Sequence, residues 1–186
     1  MVSNSLEALQ QHPVVSKLAL KQLRHTVRLL DQQVQEIETE LLRLLAQHFA
    51  TEMQLLCSIP GIGRKTAGQL LLFTGGFAQL DNYRQLIALA GLSPREHTSG
   101  TSIRGKARIT KMGGALIRSK LFMCSFAAKK RNVACKALYD RLMANGKNGK
   151  VALIAVCNKL LKQAFAIIKS GVPYQADFIS KLACNA

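Results

Sequence analysis

An apolar repeat over residues 20–44 is the feature that most constrains how this chain of 186 residues can fold. Apolar residues recur there at steps of three and four, which is the spacing of heptad positions a and d. Position a is occupied by Val27, Val34 and Leu41. Position d is occupied by Leu23, Leu30, Ile37 and Leu44. The repeat predicts one long helix over residues 14–49. We expect its seam to pair in a coiled coil, between chains or within a hairpin; the alternative is an amphipathic helix that folds back on its own domain.

Shorter helical segments follow, and together they predict an all-α fold: a long linker helix and then a compact helical domain. Pro60 and Gly61 end one helix, and Gly75 and Gly76 end the next, which we expect over 66–73. Residues 92–112 lack a helical period and predict an ordered loop, with a short strand pair around 102–110. Further helices are expected at 82–91, 114–130, 133–144 and 150–169. The predicted domains are a linker helix over 1–50, a helical domain over 51–172 and a tail over 173–186.

The charge is large and unevenly placed. The formal net charge is +16. Residues 1–60 carry five basic and six acidic side chains, a net charge of −1, whereas residues 61–186 carry 21 basic and four acidic side chains, a net charge of +17. Such asymmetry favours a polyanion partner for the second part, with nucleic acid ahead of a membrane surface or a merely solvated basic face.

Several classes of protein are disfavoured by what the sequence lacks. The five cysteines form no C-x-x-C pair and show no zinc spacing, so they are interpreted as small core residues, and no metal site is expected in this chain. No signal pattern precedes the helix, and no stretch of about 20 uncharged apolar residues predicts a membrane span. We therefore expect a cytoplasmic protein with no membrane partner.

The segment IPGIGRKTAG at 59–68 resembles a helix-hairpin-helix. Gly61 and Gly63 allow a tight turn with exposed N–H groups, which can bind a DNA phosphate at the start of the next helix. Arg64 and Lys65 add positive charge, and Thr66 is expected to cap that helix. Such contacts hold the DNA backbone without reading bases. The alternative is a plain turn whose glycines serve geometry alone.

A basic loop follows, and it contains a candidate nucleophile. Ser99 precedes Gly100 in a loop rich in cations, which could stabilise charge on phosphate oxygens during attack by a hydroxyl. The cations expected to contact nucleic acid are Arg95, Arg104, Lys106, Arg108, Lys111 and Arg118. Taken by itself, a serine in such a loop more often contacts phosphate than reacts with it. Ser102 is the second candidate, and His97 is interpreted as a loop or phosphate contact rather than a general base.

The order IPGIG, ALAGLSP and SGTSIRGKARITKMGGALIR resembles the C-terminal domain of the insertion-sequence one-ten family of bacterial transposases, with its eleven-eleven subgroup. The match is most specific at 59–63 and 89–118, and the long helix resembles that family's coiled-coil linker. The resemblance implies DNA transposition, with Ser99 as the serine of the S-G pair that links covalently to DNA. Lys111 and Arg118 match a K-x-G…R stretch, and are interpreted as phosphate-binding or loop-holding groups.

The resemblance also implies partners that this chain does not contain. Family members join this domain to an N-terminal RuvC-like domain whose DEDD carboxylates bind Mg²⁺, act as oligomers and are guided by a structured RNA. Met1 lies just before the linker, so we expect that domain to be missing and the chain by itself to be inactive in cleavage. The alternative functions are a non-catalytic nucleic-acid-binding module and an oligomerisation fragment of a decayed transposase.

Overall fold

The computed structural model describes residues 16–99 and 103–176, with 96–99 and 103–107 described through their backbone. The chain divides into two units, residues 1–44 and 45–186. The described part of the first unit is a single helix, since α1 extends over Lys17–His48. The predicted long helix is thereby confirmed. Its seam is exposed in the single chain, with Val34 at 55% and Ile37 at 68% exposure. Pairing of this seam stays a prediction.

The second unit begins with two helices joined by a turn over residues 58–63, which contains Gly61 and Gly63 and which we call the glycine turn. Helix α2 is Ala50–Cys57 and α3 is Arg64–Thr74, which ends on Gly75 in the left-handed conformation. Helix α4 is Tyr83–Leu89. Its start is fixed by a capping box, in which the Asn82 side chain accepts hydrogen bonds from two backbone N–H groups and the Gln85 side chain accepts one from the Asn82 N–H.

Three further helices build the core of this unit. They are α5, Ala115–Arg131; α6, Val133–Ala144; and α7, Gly149–Ser170. Helix α7 packs against α2, α4, α5 and α6, and its inward positions include Val156, Leu160 and Leu161, all fully buried. Among the described helices, α7 is also the one long and apolar enough by composition to cross a membrane. Its packing on four neighbours is that of a core helix, for which such composition is equally expected.

Two strands interrupt the helices between α4 and α5. Strand β1 is Pro94–Ser99, and β2 is Ile103–Ile109; they pair antiparallel. The predicted strand pair is confirmed, but its bounds were wrong, because β1 already begins at Pro94. The polar, irregular sequence of 94–99 lacks the apolar alternation by which a half-buried strand is recognised. With this one ribbon, the described chain is otherwise helical, and the expected all-α class is confirmed.

A buried polar network joins the glycine turn to the segment that follows α7. Asn132, fully buried between α5 and α6, donates to Gln163 Oε1 at 2.9 Å and to the Pro60 carbonyl at 3.5 Å. Its own oxygen accepts from the Tyr174 hydroxyl at 3.1 Å and from the Cys135 N–H. The Tyr174 N–H in turn donates to Ser58 Oγ at 2.9 Å. The segment after α7 is thus tied to the turn between α2 and α3.

Candidate nucleic-acid interface

The two glycines of the turn between α2 and α3 have different physical roles. Gly61 has φ +109°, and a Cβ built there would lie 2.8 Å from the Ala128 Cβ and 3.0 Å from its backbone nitrogen. Its lack of a side chain therefore serves a left-handed turn and close packing on α5. Gly63 has an ordinary φ of −92°, and among the described residues no atom lies within 4 Å of the place a Cβ would take. Of the two turn glycines, Gly63 is therefore the one that leaves open space at the surface.

Helix α3 begins next to that open space. Its N-cap is Gly63, with no side-chain hydrogen bond to the free N–H groups of the first turn, and Arg64 and Lys65 are exposed beside them. The prediction that Thr66 caps this helix is wrong. Thr66 lies inside the first turn, is 9% exposed and places its Oγ1 3.4 Å from Cys124 Sγ. A helix start without a cap, flanked by cations and open at Gly63, can bind an anion through backbone N–H groups.

The β-hairpin carries the predicted cationic loop. Arg95 pairs with Arg108 across the ribbon, and both side chains are exposed. From Arg95 to His97 the chain advances two residues on β1, while the partners move three residues on β2, from Arg108 to Gly105. Strand β2 therefore bulges by one residue. Bulges bend a strand and re-aim its side chains, and they recur next to functional sites.

Ser99 ends β1 and pairs with Ile103 across the ribbon. It therefore stands next to the tip of the hairpin, whose residues 100–102, including the second candidate Ser102, lie outside the described residues. Arg104 pairs with Thr98, and Lys106 lies in the bulged stretch of β2. The predicted nucleophile and four of the predicted cations thus belong to one ribbon, Lys111 follows it, and Arg118 lies on α5.

The base of the hairpin is closed by four hydrogen bonds, which we call the hairpin clasp. Residues 110–118 donate and residues 89–93 accept. The bonds are Thr110 N–H to Ser93 O, Lys111 N–H to Gly91 O, Gly114 N–H to Leu89 O, and Arg118 Nη1 to Ala90 O, each at 3.0 Å. The accepting carbonyls lie at the end of α4 and just beyond it, where a helix leaves such groups without intrahelical partners. The clasp therefore fixes both strands of the hairpin to the end of α4.

Glycines make the clasp possible. A Cβ on Gly91 would lie 2.5 Å from the Met112 carbonyl oxygen, and one on Gly113 would overlap the Leu89 carbonyl. Arg118, half-buried, spans the junction and holds the loop, which is one of the two roles expected for it. Lys111 is exposed with φ +56°, a conformation rare for a residue with a side chain. The glycines of ALAG and KMGG therefore meet in space, which sequence reasoning did not anticipate.

The turn and the hairpin contact opposite ends of α5. The turn packs at Ala128, and the clasp is joined at Arg118, so ten residues separate the two contacts. At the helical rise of 1.5 Å per residue, that is about 15 Å along the axis. The structure thus brings the hairpin cations together, and keeps Arg64 and Lys65 as a separate group at the other end of the same helix.

Sequence reasoning also missed three cations on a groove between α6 and α7. The groove has a volume of about 550 Å³ and is lined by Arg141, Lys159 and Lys162 over a floor that includes Ala134 and Ala155. Its Asn158 donates to the Leu92 carbonyl at 3.3 Å, two residues before β1 begins. The spacing of Lys159 and Lys162 on an otherwise apolar helix was the available signal, but it indicates only a polar stripe.

Acidic groups are sparse near these cations. Among the described residues, no group of three or more His, Cys, Asp or Glu side chains lies together as a metal site requires. Among the described residues, an ion pair joins Arg43 to Glu40 on α1. Residues 61–186 carry 21 basic and four acidic side chains, so solvent ions must balance part of the positive charge, and a polyanion can displace them.

The chain has clear relatives over this region. Residues 53–140 match the family model for Transposase IS116/IS110/IS902 family. The chain is 36% identical over 121 residues to a pilin gene-inverting protein of Moraxella lacunata, covering 64% of the chain and 38% of that protein. It is 26% identical over 182 residues to the insertion element IS110 uncharacterized 43.6 kDa protein of Streptomyces coelicolor, covering 95% and 44%. It is 28% identical over 127 residues to the transposase for insertion sequence element IS1111A of Coxiella burnetii, covering 67% and 35%.

The chain thus spans less than half the length of each of these relatives. The matched region extends from within α2 to within α6, so it contains the glycine turn, the whole hairpin and the clasp. The motifs that carry the resemblance seen in the sequence, at 59–63 and 89–118, lie within the residues 53–140 that match this family model.

Proposed function

We propose that this protein takes part in DNA transposition or site-specific recombination, and that its helical domain binds DNA and supplies Ser99 as the nucleophile. The relatives named as transposases and as a gene-inverting protein support the reaction class. The observation that carries the proposal is the clasped hairpin, which ends β1 at Ser99 and exposes Arg95 and Arg108 on the same ribbon. A fixed, cationic ribbon is a suitable platform from which a hydroxyl reaches a phosphodiester.

The proposed step is a transesterification. The Ser99 Oγ forms a bond to phosphorus, the bond from phosphorus to one deoxyribose oxygen breaks, and that oxygen leaves with the DNA end. The serine proton passes to a base. The cations offset charge on the non-bridging oxygens. The family that the sequence resembles holds Mg²⁺ with carboxylates of a RuvC-like domain. We propose that such carboxylates come from outside this chain.

The DNA backbone has two further contact regions in this proposal. The start of α3 with Arg64 and Lys65 contacts two neighbouring phosphates, and the groove cations Arg141, Lys159 and Lys162 contact others. Such contacts give salt-dependent affinity with little base preference. If about six phosphates are neutralised, the slope of log K against log salt is about −5 for duplex DNA. Replacing Arg64 and Lys65 by alanine reduces the steepness by about two. A DNA affinity that does not change with salt concentration would exclude binding through these cations.

The remaining partners are part of the same proposal. A structured guide RNA, a homo-oligomer through the 20–44 helix and a place in the bacterial cytoplasm follow from the resemblance and the exposed apolar seam. The second candidate function is a nucleic-acid-binding module in which Ser99 only contacts phosphate. It is favoured by the same exposed cations, because cations can bind a phosphate whether or not Ser99 reacts with it.

A covalent adduct separates the two functions. The chain is mixed with the longer Moraxella lacunata relative, in which the corresponding serine is replaced by alanine, and with labelled DNA and Mg²⁺. We expect a DNA-linked band that survives denaturation, that is lost in Ser99→Ala and that persists in Ser102→Ala. The chain without the relative should bind DNA and form no band. A band that persists in Ser99→Ala would identify another nucleophile, and a mixture that binds DNA but forms no band would favour the binding module.

A further inference from the structure

The side chains of α1 are segregated by charge along the helix. Residues 17–28 carry four basic and no acidic side chains, and residues 31–40 carry four acidic and no basic side chains. All eight of these charged groups belong to the same continuous helix, Lys17–His48. Two such helices in parallel register would place the basic halves beside each other and the acidic halves beside each other, which is unfavourable. In antiparallel register the basic half of one helix lies beside the acidic half of the other.

The apolar seam has a matching symmetry. In an antiparallel coiled coil, position a of one helix meets position d of the partner. When the numbers of the two partners add up to 64, the seam residues form four kinds of layer, each of which occurs twice in the dimer. The layers are Leu20 with Leu44, Leu23 with Leu41, Val27 with Ile37, and Leu30 with Val34. Every member of the seam then has an apolar partner, and the seam is centred on residue 32.

We propose that α1 pairs antiparallel with α1 of a second copy of this chain, in the register that places Leu30 against the partner's Val34. This rests on the homo-oligomer of the proposed function and specifies its geometry. The seam residues are available for such pairing, since Leu30 is 53% and Val34 55% exposed in the single chain. Because the contact is the same patch on both copies, it closes as a two-fold dimer.

The same register makes a specific prediction for the residues that flank the seam. The e positions of antiparallel helices meet each other: in this register Asp31 of one copy meets Asp31 of the other at the two-fold axis, and Arg24 of each copy meets Glu38 of the other. The two attractions between Arg24 and Glu38 outnumber the one repulsion between the Asp31 side chains. The dimer therefore contains this ion pair twice. The parallel arrangement has no such pair, because there e positions meet g positions, and the g positions 19, 26 and 33 are Ala, Thr and Gln. Reversing the charge at position 24 should therefore weaken an antiparallel dimer by breaking this ion pair, which a parallel dimer does not contain.

The test is charge exchange, measured on the whole chain without DNA by light scattering or sedimentation. Arg24→Glu and Glu38→Arg should each weaken the dimer on the order of tenfold, since two attractions become two repulsions. An equimolar mixture of the two variants should recover wild-type association as a heterodimer, because both pairs are then restored. The double variant Arg24→Glu/Glu38→Arg should recover it as well. Arg28→Glu and Glu36→Arg, at positions b and c away from the seam, are the matched controls and should change little.

Each of the following results either supports or overturns the antiparallel dimer. Val34→Asp should abolish the dimer while the helical circular dichroism of the domain is retained; a dimer that survives this change forms elsewhere and overturns the proposal. A wild-type chain that is monomeric at tens of micromolar also overturns it and leaves the fold-back helix. Dimers that are lost in Val34→Asp but show no recovery in the mixture are parallel, which contradicts the antiparallel register and leaves the homo-oligomer of the proposed function intact. None of these results depends on DNA binding or on Ser99.

Discussion

Arg95 and Arg108 are cross-strand partners near the base of the β-hairpin, two exposed like charges placed opposite each other. Such a pair is unfavourable for the ribbon itself, and in the proposed function a DNA phosphate that both residues approach offsets their repulsion. We predict that Arg108→Glu stabilises the hairpin by about 0.5 kcal/mol through attraction to Arg95. The same change should weaken DNA binding and reduce the salt slope by about one.

Amide hydrogen exchange in the hairpin and a salt titration of DNA binding measure the two effects. Lys136→Glu makes the same change of charge at an exposed site on α6, and should leave hairpin exchange unaltered. Faster exchange together with unchanged DNA affinity in Arg108→Glu would show that the arginine pair serves the fold alone.

The two turn glycines should respond differently to alanine. Gly61→Ala places a Cβ against the backbone of Ala128 in a left-handed conformation, so we expect a loss of about 2 kcal/mol or more of unfolding free energy. Gly63→Ala meets no atom and needs no unusual φ, so it should cost about 1 kcal/mol or less, as a poorer N-cap. Urea denaturation of both variants checks the order, and equal losses would contradict the packing of the turn on α5.

A carboxylate at Gly63 should separate stability from binding. Gly63→Asp provides the missing N-cap acceptor and an acid at the positive end of α3, which favours folding by up to about 1 kcal/mol. The same carboxylate occupies the N–H groups proposed to hold a phosphate, and repels it. We expect a higher melting temperature and weaker DNA binding. Gly63→Asn, which caps without a charge, is the matched comparison; unaltered DNA affinity in both would remove the start of α3 from the interface.

Arg118 should matter for the position of the hairpin more than for the charge of the surface. Arg118→Met removes the donor to the carbonyl of the buried Ala90 and should destabilise the domain by about 1–3 kcal/mol. Amide exchange of Lys111 and Gly114, which donate in the same clasp, should accelerate. Lys120→Met removes an exposed cation two residues away and is expected to leave both measurements near wild type.

Two buried thiols predict how stability changes at alkaline pH. Burial raises the pKa of Cys135 and of Cys157 from 9.0 to about 12. Above pH 9 the unfolded thiols ionise while the folded ones stay protonated, so the unfolded state binds fewer protons and stability falls as pH rises between 9 and 12. Each thiol contributes at most about 1.4 kcal/mol per pH unit to this loss. In Cys135→Ala/Cys157→Ala the decline between pH 8 and 10, followed by urea denaturation, should be shallower than in the wild type.

The helices could be predicted because their signals are local. The seam of α1 and the glycines that follow α3 and α7 gave element types and approximate bounds. The start of α3 was misplaced because Thr66 has the chemistry of a cap, whereas its burial beside Cys124 depends on packing that no local pattern contains. The bounds of the strand pair were misplaced for the same reason, since the prediction did not include β1 at 94–99. Its residues are polar, and its pairing depends on contacts with β2 and on the clasp.

Composition and resemblance identified the residues of the candidate site, but they did not predict which segments of the chain meet to form it. The cations and Ser99 stand out in the sequence, but the joining of Gly91 to residues 111–113 requires two segments 20 residues apart to meet. The buried network of Asn132 is likewise built from distant parts of the chain. Asparagine at a helix junction predicts a cap, which it does provide for α6, but not its bonds to Pro60, Gln163 and Tyr174.

Because of the clasp, the residues of the hairpin can be exchanged without changing the helices that carry it. Because Ser93 and Thr110 are already joined by a hydrogen bond, the path between them can lengthen, shorten or change sequence without moving either end. Each doubling of such a closed loop costs only about 0.6 kcal/mol in chain entropy. Residues 94–109 of one relative can therefore be grafted onto the helices of another. Such chimaeras would assign any DNA preference either to the ribbon or to the helical scaffold that carries it.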